Sequence, residues 1–226
     1  MATLFGREID LLCLDMDDTL IATEAGAPRR FEDAARVIRR IRPEIEPGAI
    51  VAAATQGLAV DPNRGRLVNF LSDLGISDAD EVQAVRDAYF ESMPGGTELF
   101  EGVHEVLATL RERFRLAIIT NGSSDLQRQK VAHFDLDHRV DWIVVSGELG
   151  VDKPDPAIFE HVLGLAGVEA GRAAHVGDSL TSDVAGANRS GLLPIWVETH
   201  FPRDHGDGAE FTPAATIQHV RELLDA

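Results

Sequence analysis

The chain has 226 residues, of which 44% are hydrophobic and 26% charged, the composition of a folded globular protein with one large domain or with a second domain inserted. Its net charge of -17 disfavours a nucleic-acid polymer or an anionic membrane surface as the main partner, because both would repel it. With no membrane-spanning run, no secretory signal and the single cysteine Cys13, we expect a cytoplasmic protein.

The apolar pattern predicts an α/β protein in which helices cover both faces of a mainly parallel, Rossmann-like doubly wound sheet. Short runs rich in Ile, Val and Leu alternate with segments of helical period, an order typical of strand–helix–strand units. The predicted strands are Ile9–Leu14, Leu116–Ile119, Trp142–Val145, Ala173–Val176 and Leu192–Val197. The predicted helices of the same region cover residues 103–113, 123–132, 155–167, 180–189 and 216–225.

The segment after the first strand breaks this alternation, because residues 21–97 show helical periodicity throughout. Three apolar helix faces follow one another here, and the second and third end at Gly75 and at the sequence MPGG (93–96). We therefore predict a core domain formed by residues 1–20 and 98–226, with an inserted helical domain over residues 21–97. A turn-rich surface loop is predicted over residues 198–213.

Polar residues follow three of the predicted strands. Asp15 follows the first strand, Thr120-Asn121-Gly122 the second, and Gly177-Asp178-Ser179 the strand that begins at Ala173. In an open parallel sheet, ligands bind outside the carboxyl ends of the strands. We therefore expect these residues to meet at one edge of the sheet, and Lys153, just before another helix, can reach the same edge.

The sequences DMDDT, IITNG, VDKPDP and VGDSLTSD resemble, in order and spacing, the four motifs of the haloacid dehalogenase superfamily of phosphatases. The helical insert is similar to the helical cap of that superfamily's subfamily I, so the resemblance covers the whole chain. Within the superfamily, GELGVDKPDPAIFE and VGDSLTSDVAGANRSG are similar to the branch of pyrimidine 5'-nucleotidases and N-acylneuraminate-9-phosphatases.

The resemblance implies a division of labour between two neighbouring aspartates. Asp15 would attack phosphorus and form an aspartyl-phosphate, while Asp17 would protonate the leaving alkoxide and later accept a proton from water. These roles need carboxylates in different protonation states, and clustering pushes their pKa values apart. Mg²⁺ would offset the repulsion, with Asp15, the Asp17 backbone carbonyl and Asp178 as ligands and Asp183 in support.

Thr120, Asn121 and Lys153 are the expected substrate-binding residues, since a hydroxyl, the start of a helix and an ammonium all stabilise a phosphoryl group. The chain has nineteen arginines and two lysines, Lys130 and Lys153, so chemistry explains Lys153 better than composition does. The predicted function is that of a Mg²⁺-dependent phosphatase acting on a small soluble phosphomonoester, as a monomer or homodimer.

Other functions of the same fold remain open at this stage. A dehalogenase expels halide without needing a proton, so Asp17 favours phosphoester hydrolysis over that reaction. A phosphomutase keeps the acid, and a non-catalytic phosphometabolite-binding protein would not require both the nucleophile and the acid. Asp18 has no assigned chemistry, and a role in a turn is expected for it.

Residues 21–42 contain six arginines and three acids, a local charge of +3. These arginines could attract an anionic substrate or form a solvated helix face. Arg29 and Arg30, which precede the predicted helix, are the better candidates for substrate binding. The others are Arg36, Arg39, Arg40 and Arg42.

Overall fold

The computed structural model describes residues 2–59, 66–91, 97–198 and 209–226, which form two compact units. The core unit consists of Met1–Ala22 and Leu99–Ala226, and the helical unit of Thr23–Glu98. The function of the helical unit as a cap stays a prediction, and each unit is described by itself.

Within the described part of the core unit, six strands form one parallel sheet in the order β5-β4-β3-β6-β7-β8. A small hairpin, β1 (Thr3–Leu4) and β2 (Arg7–Glu8), precedes it. The sheet strands are β3 (Leu11–Leu14), β4 (Arg115–Thr120), β5 (Trp142–Val145), β6 (Ala173–Gly177), β7 (Leu193–Val197) and β8 (Ala215–Ile217). Because β3 lies between β4 and β6, the residue after Leu14 stands at the centre of the carboxyl edge.

The helical unit contains α1 (Ala27–Ile41), α2 (Pro47–Ala59), α3 (Arg66–Asp73) and α4 (Ala79–Glu91), after a short 3₁₀ turn at Glu24–Gly26. Its core is aromatic at the centre: Phe31 meets Phe70 and Tyr89 edge to face, at ring-centroid distances of 4.9 Å and 5.3 Å. The predicted apolar faces are confirmed, since Phe31, Phe70 and Val85 are all buried. The predicted stop at residues 93–96 lies outside the described residues.

Helices cover both faces of the sheet. They are α5 (Val103–Arg111), α6 (Ser124–His133), α7 (Ser146–Leu149), α8 (Pro156–Ala166) and α9 (Ala185–Ser190). Leu12 and Leu14 join one apolar cluster, which includes α5, whereas Leu11 and Cys13 join the opposite cluster, which includes α8. The alternation along one buried strand confirms the doubly wound α/β fold.

The predicted helix over residues 216–225 is wrong. Residues Ala215–Ile217 form β8, which pairs with β7 so that Ile217 lies opposite Val197. A 3₁₀ helix, Val220–Leu224, follows, and His219 caps it by accepting a hydrogen bond from the N–H of Arg221 at 3.0 Å. The backbone of β8 pairs with β7 at the edge of the sheet, and a helical period in the local sequence gives no sign of such a distant pairing.

Two other segments also differ from the simple pattern. The helix predicted over 180–189 starts as a π-helical turn, Leu180–Val184, and only then continues as α9. Of the loop predicted over 198–213, residues 199–208 lie outside the described part, and Ala209–Phe211 form a 3₁₀ turn. Along the described residues, no helix is both long and apolar enough to cross a lipid bilayer.

Candidate active site

Asp15 stands at the centre of the carboxyl edge, directly after β3. Its backbone N–H donates to the carbonyl of Val176 at 2.8 Å, which continues the pairing with β6 by one residue. Its side chain is buried, and Oδ1 accepts a hydrogen bond from Lys153 Nζ at 2.6 Å. The strand therefore gives the predicted nucleophile a rigid mount and a cationic neighbour.

Lys153 is held by three acceptors, as many as an ammonium has hydrogens. Besides Asp15, Nζ donates to the carbonyl of Ile119 at 2.8 Å and to Asp183 Oδ1 at 2.7 Å. The side chain of Asn121 fixes the backbone of Lys153 from both sides, accepting its N–H at 2.8 Å and donating to its carbonyl at 3.0 Å. The observed contacts of Asn121 thus orient the lysine, and its direct contact with substrate stays a prediction.

Asp183 connects the lysine to the strand beside β3. Its Oδ1 accepts from both Lys153 and His175 Nε2–H, the latter at 2.9 Å, and its Oδ2 accepts from the N–H of Ser179 at 3.0 Å. Only glycine fits at position 177, because a Cβ there would lie 2.2 Å from Asp183 Cγ. The sequence did not point to His175, whose only signal was a polar residue inside a buried strand.

Burial governs the protonation of this cluster. It raises the pKa of Asp15 to about 7, helped by the negative charges of Asp183 and Asp17 and opposed by Lys153. Burial also opposes the charge on Lys153, but the carboxylates of Asp15 and Asp183 outweigh it and raise the pKa of the lysine. Burial acts to raise the pKa of Asp183 as well, but Lys153 and His175 outweigh it and hold that pKa below the usual range. A further cation near Asp15 would favour the ionised form that a nucleophile requires.

Three buried carboxylates meet at this edge. Side-chain oxygens of Asp15, Asp178 and Asp183 all lie within 4.8 Å of one another, and the carbonyl of Asp178 accepts from Trp196 Nε1–H at 2.9 Å. An all-oxygen set of this kind fits a hard divalent cation. Both oxygens of Asp183 already accept hydrogen bonds, from Lys153 and His175 on Oδ1 and from Ser179 on Oδ2, which suits a supporting role. Metal binding by Asp15 and Asp178, with Asp183 in support, stays a prediction. The coordination by the Asp17 backbone carbonyl stays a prediction.

Asp17 contacts two residues that the sequence reasoning missed. Lys130 Nζ lies 2.6 Å from Asp17 Oδ1 and 2.9 Å from Oδ2, and Gln127 Nε2 donates to Oδ2 at 2.8 Å. Gln127 Nε2 is also 2.6 Å from the hydroxyl of Thr120, which brings the predicted phosphate-binding residue next to the predicted acid. The scarcity of lysine that singled out Lys153 could have singled out Lys130 as well.

Asp18 adopts a left-handed backbone conformation, with φ of 57°. Its N–H donates to the carbonyl of Ile21 at 2.7 Å, so it forms the turn that leads away from β3. Aspartate tolerates this conformation better than most residues. These contacts support the turn role expected for Asp18.

In the helical unit, the two arginines favoured as substrate-binding candidates differ in burial. Arg30 is buried: Nη1 donates to the carbonyl of Thr23 at 2.7 Å, and the guanidinium lies 5.4 Å from the ring centroid of Tyr89. Arg29 is exposed. The contacts of Arg30 are those of a side chain that stabilises its own unit, and substrate binding by Arg29 stays a prediction.

Fold and site together define a doubly wound α/β protein with a carboxylate- and lysine-rich site at the carboxyl edge of its sheet. The chain belongs to the haloacid dehalogenase-like hydrolase family, whose model matches residues 9–191. The resemblance inferred from the four motifs is thereby confirmed.

Named relatives include phosphatases and a dehalogenase. The chain is 37% identical to a phosphoserine phosphatase of Thermus thermophilus over 56% of its own length and 50% of the relative's. It is 28% identical to the pyrimidine 5'-nucleotidase YjjG of Escherichia coli over 85% and 80% of the two lengths. Its fold matches a 2-haloacid dehalogenase of Pseudomonas syringae with a TM-score of 0.66 and 29% identity, covering 96% and 97% of the chains. The first match spans only half of the curated relative, so the activity of the whole protein is a matter for proposal.

Proposed function

We propose that the protein is a Mg²⁺-dependent phosphatase that hydrolyses a small soluble phosphomonoester through an aspartyl-phosphate. One observation carries this proposal: Asp15 and Asp17, two positions apart, are each paired with a different buried lysine. The two carboxylates therefore have separate environments, as a nucleophile and a proton carrier require. The phosphatases among the named relatives support the same reaction class.

The reaction has two balanced steps. An Asp15 oxygen attacks phosphorus, the bond from phosphorus to the ester oxygen breaks, and Asp17 gives its proton to the departing alkoxide. Water then attacks the phosphorus of the aspartyl-phosphate and gives a proton to Asp17, while the bond from phosphorus to the Asp15 oxygen breaks and inorganic phosphate leaves. Both carboxyl groups are thereby restored. The hydroxyl of Thr120 and the positive charge of Lys153 stabilise the charge on the phosphoryl oxygens in both steps.

The residues present fit a magnesium ion. Asp15 and Asp178 would hold it, and the Asp17 carbonyl is the further ligand expected from the sequence. When bound, the ion would neutralise negative charge shared by the carboxylates and the phosphate. Lys153 independently keeps Asp15 oriented, because Nζ is fixed by Ile119 and Asp183 as well.

A screen for phosphate release tests the proposal. Purified protein is offered nucleotides, sugar phosphates, sialic-acid phosphate, phosphoserine and phosphoglycolate, with Mg²⁺ or with EDTA, and Asp15→Asn is the matched control. We expect turnover of at least one compound that requires Mg²⁺ and is lost in the control. Equal, negligible turnover by both proteins across the panel would favour the phosphometabolite-binding alternative instead.

Dehalogenation is the second candidate, because the dehalogenase structure covers nearly the whole chain. The paired Asp17 argues against it, since a departing halide needs no proton. Chloride release from 2-chloropropionate distinguishes the two: we expect none above the Asp15→Asn background. Formation of a phosphorylated isomer rather than inorganic phosphate from a sugar phosphate would reveal a phosphomutase.

A further inference from the structure

Helix α6 directs two buried side chains at the predicted proton carrier. Gln127 and Lys130 are three positions apart, so they lie on the same face of the helix. Each is 2% exposed, and together they make three contacts of 2.6–2.9 Å with the carboxylate of Asp17. These contacts from Gln127 and Lys130 restrict the rotation of the Asp17 carboxylate.

We propose that Lys130 and Gln127 are positioning residues for the acid–base step, which hold the Asp17 carboxylate in the orientation needed for proton transfer to the leaving group. The inference rests on the proposed phosphatase activity and adds two residues to it. Proton transfer depends on a donor–acceptor geometry within hydrogen-bond reach, so a carboxylate free to rotate would be a poorer acid.

A purely structural ion pair explains the arrangement less well. The Asp17 side chain is 26% exposed and could be hydrated, whereas Lys130 is 2% exposed and loses its hydration. Burying an ammonium is costly, and apolar side chains of similar volume in place of the whole pair would serve stability at least as well. The buried lysine is therefore better explained by what it does for Asp17.

The amide of Gln127 points to the same conclusion. Its nitrogen lies near three acceptors, Asp17 Oδ2, Thr120 Oγ1 and the carbonyl of Asn121, although it carries two hydrogens. Its oxygen has no hydrogen-bond partner among the described residues, an arrangement that is costly for a buried acceptor. The amide thus contacts the site residues although its own hydrogen bonds are incompletely satisfied. It connects Asp17, the predicted acid, to Thr120, the residue expected to bind phosphate.

Backbone geometry makes room for this amide. Gly122 has φ of +138°, and a Cβ at that position would lie 3.2 Å from Gln127 Cγ and Cδ. The glycine after Asn121 therefore permits both the turn and the approach of Gln127 to Thr120.

Leaving-group dependence tests the proposal, because 4-nitrophenolate leaves without a proton and the alkoxide of glycerol 2-phosphate does not. The value of kcat/KM reports the step in which the leaving group departs, before hydrolysis of the aspartyl-phosphate. We expect Lys130→Met to lower kcat/KM for glycerol 2-phosphate by about 10²-fold and that for 4-nitrophenyl phosphate by a much smaller factor. Gln127→Met should show the same selectivity with a smaller loss, plus a higher KM for both compounds through Thr120.

Two comparisons separate positioning from general damage. Arg128→Met removes a cation from the same helix, where Arg128 pairs with Glu148 at 2.7 Å, and should leave the ratio of the two kcat/KM values unchanged. With glycerol 2-phosphate, Asp17→Asn/Lys130→Met should be no slower than Asp17→Asn alone, because Lys130 acts through Asp17. Thermal unfolding of each variant checks folding, and Gln127→Met decides the matter if Lys130→Met does not fold.

Equal losses on both substrates, or full additivity in the double variant, would overturn the positioning role while leaving the phosphatase proposal intact. A wild-type protein that hydrolyses neither compound nor any member of the wider panel would overturn the phosphatase proposal, and the positioning role with it.

Discussion

The two lysine–aspartate pairs of the site differ in how much water reaches them. In the Lys153–Asp15 pair the side chains are 2% and 10% exposed, whereas in the Lys130–Asp17 pair they are 2% and 26% exposed. Lys153 also binds Asp183, so the first pair is part of a closed network. A nucleophile gains from being fixed and enclosed, while a proton carrier must exchange its proton with solvent. The same pair of residue types thus has two different environments, at aspartates only two positions apart in the chain.

The largest expected effect comes from substituting Asp15, the predicted nucleophile of the enclosed pair. Asp15→Asn keeps the shape of the side chain but removes its nucleophilic oxygen, so turnover of every phosphomonoester should fall by at least about 10⁴-fold. Borohydride reduction of wild-type enzyme quenched during turnover should convert the acyl phosphate at Asp15 to homoserine, which peptide mass spectrometry detects. Homoserine absent at Asp15, despite rapid turnover, would count against the covalent step.

Stability sharpens the comparison between the two pairs. Lys153→Met leaves two buried carboxylates without their shared cation and should lower the free energy of unfolding by about 3–5 kcal/mol. Lys130→Met leaves only Asp17, which water reaches, and should lower it by about 1–2 kcal/mol. Urea denaturation of the metal-free proteins measures both values. Equal losses would contradict the difference in enclosure.

The closed pair also predicts a pH dependence of stability, which is smaller than the effect of losing Lys153. The pKa of Asp15 rises from 3.8 to about 7 on folding, so the folded protein binds a proton that the unfolded chain has released. This contribution to stability is complete below 3.8 and is lost as the pH rises to about 7. With EDTA, the free energy of unfolding of wild type should therefore fall relative to Asp15→Asn, on the order of 2 kcal/mol between about pH 5 and about pH 7. Parallel pH profiles for the two proteins would show that burial does not act on Asp15 in this way.

Much of the fold could be predicted because buried parallel strands leave a strong local signal. The run that ends at Leu14 and the run Trp142–Val145 are apolar on both sheet faces, and the structure has strands in both places. The edge strand Ala215–Ile217 gave no such signal, because three residues are too few for a period and its pairing with β7 is non-local. The π-helical turn at Leu180–Val184 gave no sequence signal either, and Asp183 within it packs against Gly177, a contact that a helical period does not show.

The site was predictable where the residues follow strand ends and not where they lie on helices. Asp15, Thr120 and Asp178 could be located because each comes directly after or at the end of a strand. Lys130 and Gln127 lie within α6, where a polar residue reads as a solvent-facing position. Only the docking of α6 against the sheet makes that face an interior one.

Both lysines of the chain are buried. The folded molecule therefore offers an amine-reactive reagent no lysine on its surface, and acylation of either side chain requires a local opening. The rates of labelling at Lys130 and at Lys153 would report separately how often each half of the site opens, and enclosure predicts the slower rate for Lys153. Because the chain has nineteen arginines and only two lysines, lysine labelling would report local opening at the site alone.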